Sequence, residues 1–157
     1  MRGFEVRLER QQQAAERSLV PLPVEGRAGW VMVDATWGTV QPIELTPGLR
    51  TVGELEVIAK LRRGTPVLDT RPADAYRAQT IPGARSLPWE QAAERAAELD
   101  PQTPAVLFCN GPQCLATPNA VDALLAAGHP PSALLYYRGG LHDWMTLGFP
   151  VVGEDAL

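Results

Sequence analysis

From Thr51 onward, apolar positions recur in two alternating rhythms. Val52, Leu55, Ile58 and Leu61 fall at helical intervals, and Thr51-Val52-Gly53-Glu54 ahead of them has capping-box spacing. Gly64 supplies a stop, so the pattern predicts one helix between these signals. Pro66-Val67-Leu68-Asp69 is too short and too uniformly apolar for a helix and reads as a buried strand. The alternation continues with a turn of helix over 73–78, a strand region across 81–87, and an alanine- and glutamate-rich helix over 90–99. A strand over 105–108, a helix over 119–127 stopped by Gly128, a strand over 133–137 and a helix around 141–147 complete it. Strands and helices alternating at this spacing predict an α/β domain, a mostly parallel sheet with helices on both faces. Chemistry in such sheets gathers at the carboxyl ends of the strands, where residues 69–71, 109–114 and 138–142 fall.

The chain divides near residue 46, into an N-terminal extension (1–45) and the α/β domain (46–157). Residues 1–20 are helix-friendly but weakly amphipathic, and Pro21 and Pro23 stop them. The segment from Gly29 to Thr36 reads as a strand, which Trp37-Gly38-Thr39-Val40 can turn back as a loose hairpin. Such a flap could cover a sheet edge, line the cleft or build a homodimer contact, and the residues do not choose among these.

Composition narrows the function. With 157 residues, 45% hydrophobic and 20% charged, the chain has an ordinary globular composition. A net charge of −4 argues against general nucleic-acid binding, and no apolar run reaches the length of a membrane span. Lys60 is the only lysine, so an anion held by a side chain would be held by arginine. Two cysteines make neither a secreted disulfide framework nor a structural zinc site, and a reducing cytoplasm is expected. The first twenty residues have no leader pattern; a leader removed beforehand would leave no trace.

Those two cysteines lie in Val106-Leu107-Phe108-Cys109-Asn110-Gly111-Pro112-Gln113-Cys114. A strand that stops at a cysteine, followed by a Gly/Pro loop and a helix, turns backbone N–H groups and the positive helix end toward the sulfur. Such surroundings favour the thiolate, the form that attacks, and suit a nucleophile that accepts a transferred group. The competing reading is a buried strand cysteine.

Four segments, in order and at the expected spacing, resemble the rhodanese-like sulfurtransferase family over about residues 50–152. They are Val67-Leu68-Asp69-Thr70-Arg71; Tyr76 with Ile81-Pro82-Gly83-Ala84; Phe108-Cys109; and Arg138-Gly139-Gly140 with Trp144 and Gly148-Phe149-Pro150-Val151. The resemblance implies the three-layer rhodanese-like fold. It implies that Cys109 takes a sulfane sulfur from a small donor such as thiosulfate, as a persulfide, and passes it to cyanide or a thiol. Neither cofactor nor metal is implied. Residues Asn110, Gly111, Pro112, Gln113 and Cys114 would form the loop that cradles the sulfur.

Several positions depart from the family pattern. Asn110 stands where an arginine is usual, Pro112 where glycine is, Cys114 where a second arginine often is, and Thr80 where a histidine often is. Pro112 removes one backbone donor, and the loop carries no cation for a dianionic donor. Cys114 either fills space or attacks an oxidised or sulfur-loaded Cys109 to form a disulfide. Thr117 is expected as the cap of the next helix, with Pro118 in its first turn. Asp69 is expected to brace the loops through backbone N–H groups. Arg71 either meets substrate or pairs with Asp74; Arg138 either binds an anion or is solvated; His142 either donates a proton or lies on a helix surface. A non-catalytic partner-binding or redox-sensing module is the alternative to an enzyme. A phosphatase or arsenate reductase is disfavoured because Cys114, Leu115 and Ala116 cannot grip an oxyanion with a cation.

Overall fold

The computed structural model of the chain describes residues 22–23, 25–28, 31–32 and 40–154. The chain forms two compact units, Met1–Trp37 and Gly38–Leu157. In the first, strand β1 (Leu22–Pro23) pairs antiparallel with β2 (Val31–Met32), Leu22 opposite Met32. The strand expected over 29–36 is thus described at its centre, with an upstream partner. The helix expected over 1–20 and the turn over 37–39 lie outside the described residues.

The second unit is built on a five-stranded sheet in the order β3 (Arg50–Thr51), β7 (Leu134–Tyr137), β6 (Ala105–Phe108), β4 (Val67–Asp69), β5 (Arg85–Ser86). Every pair in it is parallel. The three central strands are buried at every position, which explains their uninterrupted apolar character. Alternation then sorts side chains to two faces. Ala105, Leu107, Leu134 and Tyr136 pack with Ala120, Val121 and Leu124 of α3 (Ala116–Ala126) and with Ala92 and Leu99. Phe108 and Tyr137 turn to the opposite face, where Tyr137 meets the Trp144 ring of α4 (Gly140–Thr146) edge-on. The Tyr137 hydroxyl there donates to Glu54 at 2.9 Å. Glu54 opens α1 (Glu54–Arg62), and α2 (Ala73–Ala78) follows β4. The expected α/β architecture, with helices on both faces, is the one found. Among the described residues no helix is long and apolar enough to cross a membrane.

Three local expectations are corrected. Thr51 is no helix cap: it lies in β3 opposite Tyr136, its hydroxyl donates to the Ile43 carbonyl, and Gly53 is the N-cap without a side-chain bond. Because the helix starts after the strand, its face is rotated; Val57 is buried and Leu55 is exposed. Residues 90–99 form two short 3₁₀ turns, Trp89–Gln91 and Ala96–Glu98, rather than one α-helix. Helix propensity is a weak prior there. The segment is seated by Ala92 and Leu99, and Arg95 donates to the Ser86 carbonyl of β5. Helix α3 begins at Ala116 with Leu115 as N-cap, so Thr117 lies inside the first turn, fully buried, with Pro118 beside it.

Candidate active site

Cys109 is the first residue past β6 and continues the parity of Ala105 and Leu107, so its side chain enters the α3 face. It is 1% exposed. The chain then curls. Cys114 N–H donates to the Gly111 carbonyl at 3.0 Å, bringing residue 114 back, and the Cys109 thiol points at the Cys114 carbonyl oxygen, 3.7 Å away.

Two supports hold this loop from outside. The first turn of α4 has backbone N–H groups without helical partners, and two of them are used here. Leu141 N–H donates to the Cys109 carbonyl at 2.9 Å and His142 N–H to the Asn110 carbonyl at 2.8 Å. On the other side, Pro112 has no N–H to give, but its carbonyl accepts from Gln41 N–H at 2.6 Å. The Gln41 carbonyl in turn accepts from Arg138 Nε at 2.8 Å. Arg138 is thereby fixed at the end of β7, one hydrogen-bonded residue away from the loop.

The end of β4 forms a buried polar network. Asp69 accepts from Arg71 N–H (3.1 Å), Arg71 Nη2 (2.6 Å) and the Thr80 hydroxyl (2.8 Å). Backbone N–H donors were expected on Asp69; that of Arg71 is found, and the others are side chains. Arg71 closes on Asp69 two residues back, where the sequence suggested Asp74; the chain bends at Arg71, and the guanidinium lies on the strand's own last carboxylate. Arg71 also reaches the Asn110 side-chain oxygen (3.2 Å) and the Gln79 carbonyl. Asn110, where the family usually has arginine, thus receives a cation instead of supplying one.

The electrostatics of the sulfurs differ from expectation. The loop was expected to favour the Cys109 thiolate. Burial above all, then the neighbouring Cys114 sulfur, pushes the Cys109 thiol well up, against the Thr117 hydroxyl and N–H, which favour its anion. The Cys114 thiol is instead lowered to about 6. The hydrogen bond from Cys109 is the chief cause, aided by the N–H groups of Ala116 and Asn110 and by the Arg71 charge, while burial opposes it. The converging donors are thus shared between two sulfurs, and they lower the second thiol rather than the first.

Of the remaining loop residues, Gly111 packs close to the Gly139 carbonyl, and Gln113 is half-buried without a side-chain hydrogen bond among the described residues. The His142 imidazole is turned to solvent beside Asp143, with Nδ1 3.6 Å from its carboxylate; it meets the loop through its backbone and Cβ. Sequence reasoning missed Gln41, Thr70 and the placement of Thr117. The Thr70 hydroxyl lies 2.9 Å from the Phe108 carbonyl and 2.8 Å from the Thr117 hydroxyl, which joins β4 to the helix start beneath Cys109. Only the Asp-Thr-Arg spacing pointed at Thr70, and nothing local pointed at Gln41.

The same domain recurs among known proteins. The rhodanese-like domain model matches residues 54–147, more than half of the chain. An HTH-type transcriptional regulator of Mycobacterium tuberculosis is 35% identical over 85 residues, 54% of this chain and 36% of that protein, so the chain spans about a third of this relative. Among solved structures, a Bacillus halodurans protein superposes with a TM-score of 0.59 at 22% identity, covering 67% of this chain and 77% of its own. The rhodanese-like domain of an Anabaena protein gives 0.56 at 25% identity, over 66% and 78%. A thiosulfate sulfurtransferase from Pseudomonas aeruginosa gives 0.55 at 29% identity, over 68% of this chain and 20% of that one. With a parallel sheet that delivers a cysteine into a loop clamped by the following Gly-Gly turn, and a family match along most of that sheet, the chain belongs to the rhodanese-like domain family.

Proposed function

We propose that the chain is a sulfurtransferase, with Cys109 as the atom that carries the transferred sulfur. The observation that supports this reading best is the pair of thiols in one clamped loop, Cys109 pointing at residue 114 and Cys114 held toward its anion. The proton that Cys109 must lose has a receiver in the Cys114 sulfur. The Cys109 thiolate then attacks the outer sulfur of thiosulfate; a Cys–S–S⁻ persulfide forms and sulfite leaves with the electrons of the broken S–S bond. Attack by cyanide or a thiol on the outer sulfur returns the Cys109 thiolate. The Thr117 N–H and hydroxyl, which face the Cys109 sulfur, stabilise charge at that position. The match to a thiosulfate sulfurtransferase supports the same chemistry.

The test is thiocyanate formation from thiosulfate and cyanide. Wild-type protein is expected to form it and Cys109→Ser to form none, because an alcohol cannot hold a transferable persulfide. Turnover by Cys109→Ser at the wild-type rate would sink the assignment. The near-complete burial of Cys109, together with the match to a transcriptional regulator, favours a second reading: a redox-sensing module without turnover. Inactive wild-type protein whose two cysteines still cross-link under peroxide would select it.

A further inference from the structure

Sulfur loading of a single cysteine leaves Cys114 unused beyond a proton, yet the loop is arranged around it. The turn from Gly111 to Cys114 brings residue 114 back over Cys109, until the Cys109 sulfur lies 3.7 Å from the Cys114 carbonyl oxygen. Both cysteines are free thiols, Cys109 buried and Cys114 partly open. The supports from Leu141, His142 and Gln41 hold residues 109, 110 and 112, whereas no backbone bond from outside the loop restrains residue 113 or 114 among the described residues.

We propose that Cys114 is a second nucleophile, which attacks the Cys109 persulfide at its inner sulfur, closes a Cys109–Cys114 disulfide and expels the outer sulfur as hydrosulfide. The proposal rests on the Cys109 persulfide argued above and adds an activity to it: sulfide release without an external acceptor. The step balances. Cys109–S–S⁻ and Cys114–SH become Cys109–S–S–Cys114 and HS⁻, the thiol proton leaving with the hydrosulfide. The Cys109 sulfur stays at the level of an S–S bond, the Cys114 sulfur is oxidised from thiol to disulfide and the outer sulfur is reduced to sulfide, so no outside oxidant is needed. A thiol reductant then reopens the disulfide.

Two considerations choose the inner sulfur over the outer one. Attack at the outer sulfur would have to expel the Cys109 thiolate, an anion that its apolar surroundings disfavour, whereas hydrosulfide is the weaker base and leaves faster. The Cys109 sulfur is also the one anchored to β6 at a fixed place in the loop, facing residue 114. A thiol five positions along the same curled loop meets it at a high effective concentration.

Reduced protein freed of reductant is incubated anaerobically with thiosulfate, then followed by intact mass, sulfide assay and alkylation. Wild-type protein is expected to release one sulfide per chain and to end two hydrogens lighter than the reduced chain. Neither cysteine should alkylate until dithiothreitol is added. Cys114→Ser lacks the sulfur that receives the Cys109 proton and should load more slowly, yet it should keep the added sulfur on Cys109 and release no sulfide; the persulfide it holds reports an intact loop, and Cys114→Ala should behave alike. If Cys114→Ser is loaded but wild-type protein also keeps its persulfide, with Cys114 open to alkylation, the resolving role is overturned and the sulfurtransferase reading stands. If neither protein takes up sulfur from thiosulfate or inorganic polysulfide, the Cys109 persulfide is overturned, and this proposal falls with it.

Discussion

Gly140 lies directly against the Cys109 carbonyl, in a left-handed conformation (φ 62°), while the next residue, Leu141, donates its N–H to that same oxygen at 2.9 Å. A Cβ on Gly140 would collide with the carbonyl and come within 2.8 Å of the Asn110 carbonyl carbon and the Gly111 nitrogen. These are backbone atoms that cannot step aside as a side chain can. The Gly-Gly pair after β7 therefore sets how the Cys109 loop seats on α4.

Gly140→Ala should for this reason lower stability by about 2–4 kcal/mol, from the left-handed conformation and from overpacking together. Urea unfolding measures the loss, and sulfur loading should slow as the loop is displaced. An unchanged midpoint would mean that the turn and loop move apart without cost.

The Asp69–Arg71 pair is buried on both sides, at 0% and 5% side-chain exposure. Removing one partner leaves an unpaired charge inside, so Asp69→Ala should cost about 3–5 kcal/mol in urea unfolding. Asp69→Leu with Arg71→Met should lose clearly less than the sum of the two single changes, because no orphan charge remains. Additive losses would show that the two side chains act separately.

Since the Cys114 thiol is lowered to about 6, its alkylation by iodoacetamide should rise with pH through that value. Cys109→Ala removes the chief cause, the hydrogen bond from Cys109, and should move the midpoint up toward an ordinary thiol. The linkage has a definite sign: a depressed thiol pKa adds stability above the ordinary thiol range, and this is lost as the pH falls through about 6. A midpoint that stays put in Cys109→Ala would remove Cys109 as the donor.

Arg138 uses Nε on the Gln41 carbonyl, and its terminal nitrogens make no hydrogen bond or ion pair among the described residues. A cation placed beside a loop without one suits an anionic donor. Arg138→Ala should raise KM for thiosulfate by about tenfold, roughly 1.4 kcal/mol, while lowering kcat less. Arg138→Lys, which keeps the charge but not the Nε bond, should recover most of it. Equal loss in both variants would instead make the Gln41 brace the important feature.

The α/β alternation, the parallel sheet and the strand ending at Cys109 were legible in the chain because they depend on local periodicity. A buried parallel strand must be apolar throughout, and Gly64 and Gly128 take up left-handed helix ends at 71° and 93°. Segments whose structure is decided by distant partners were not legible. Thr51 looked like a cap but pairs with Tyr136, and residues 90–99 looked helical but are drawn onto β5 through Arg95. The site divides in the same way. Cys109, Asp69 and Arg71 are placed by their strand ends, which the residues themselves mark. The partner of Arg71, the Gln41 brace, the Thr70–Thr117 contact and the lowering of the Cys114 thiol rather than that of Cys109 depend on tertiary structure. A thiol's charge is set by its burial and by the N–H groups that face it, and both exist only once strand, loop and helix have closed around it.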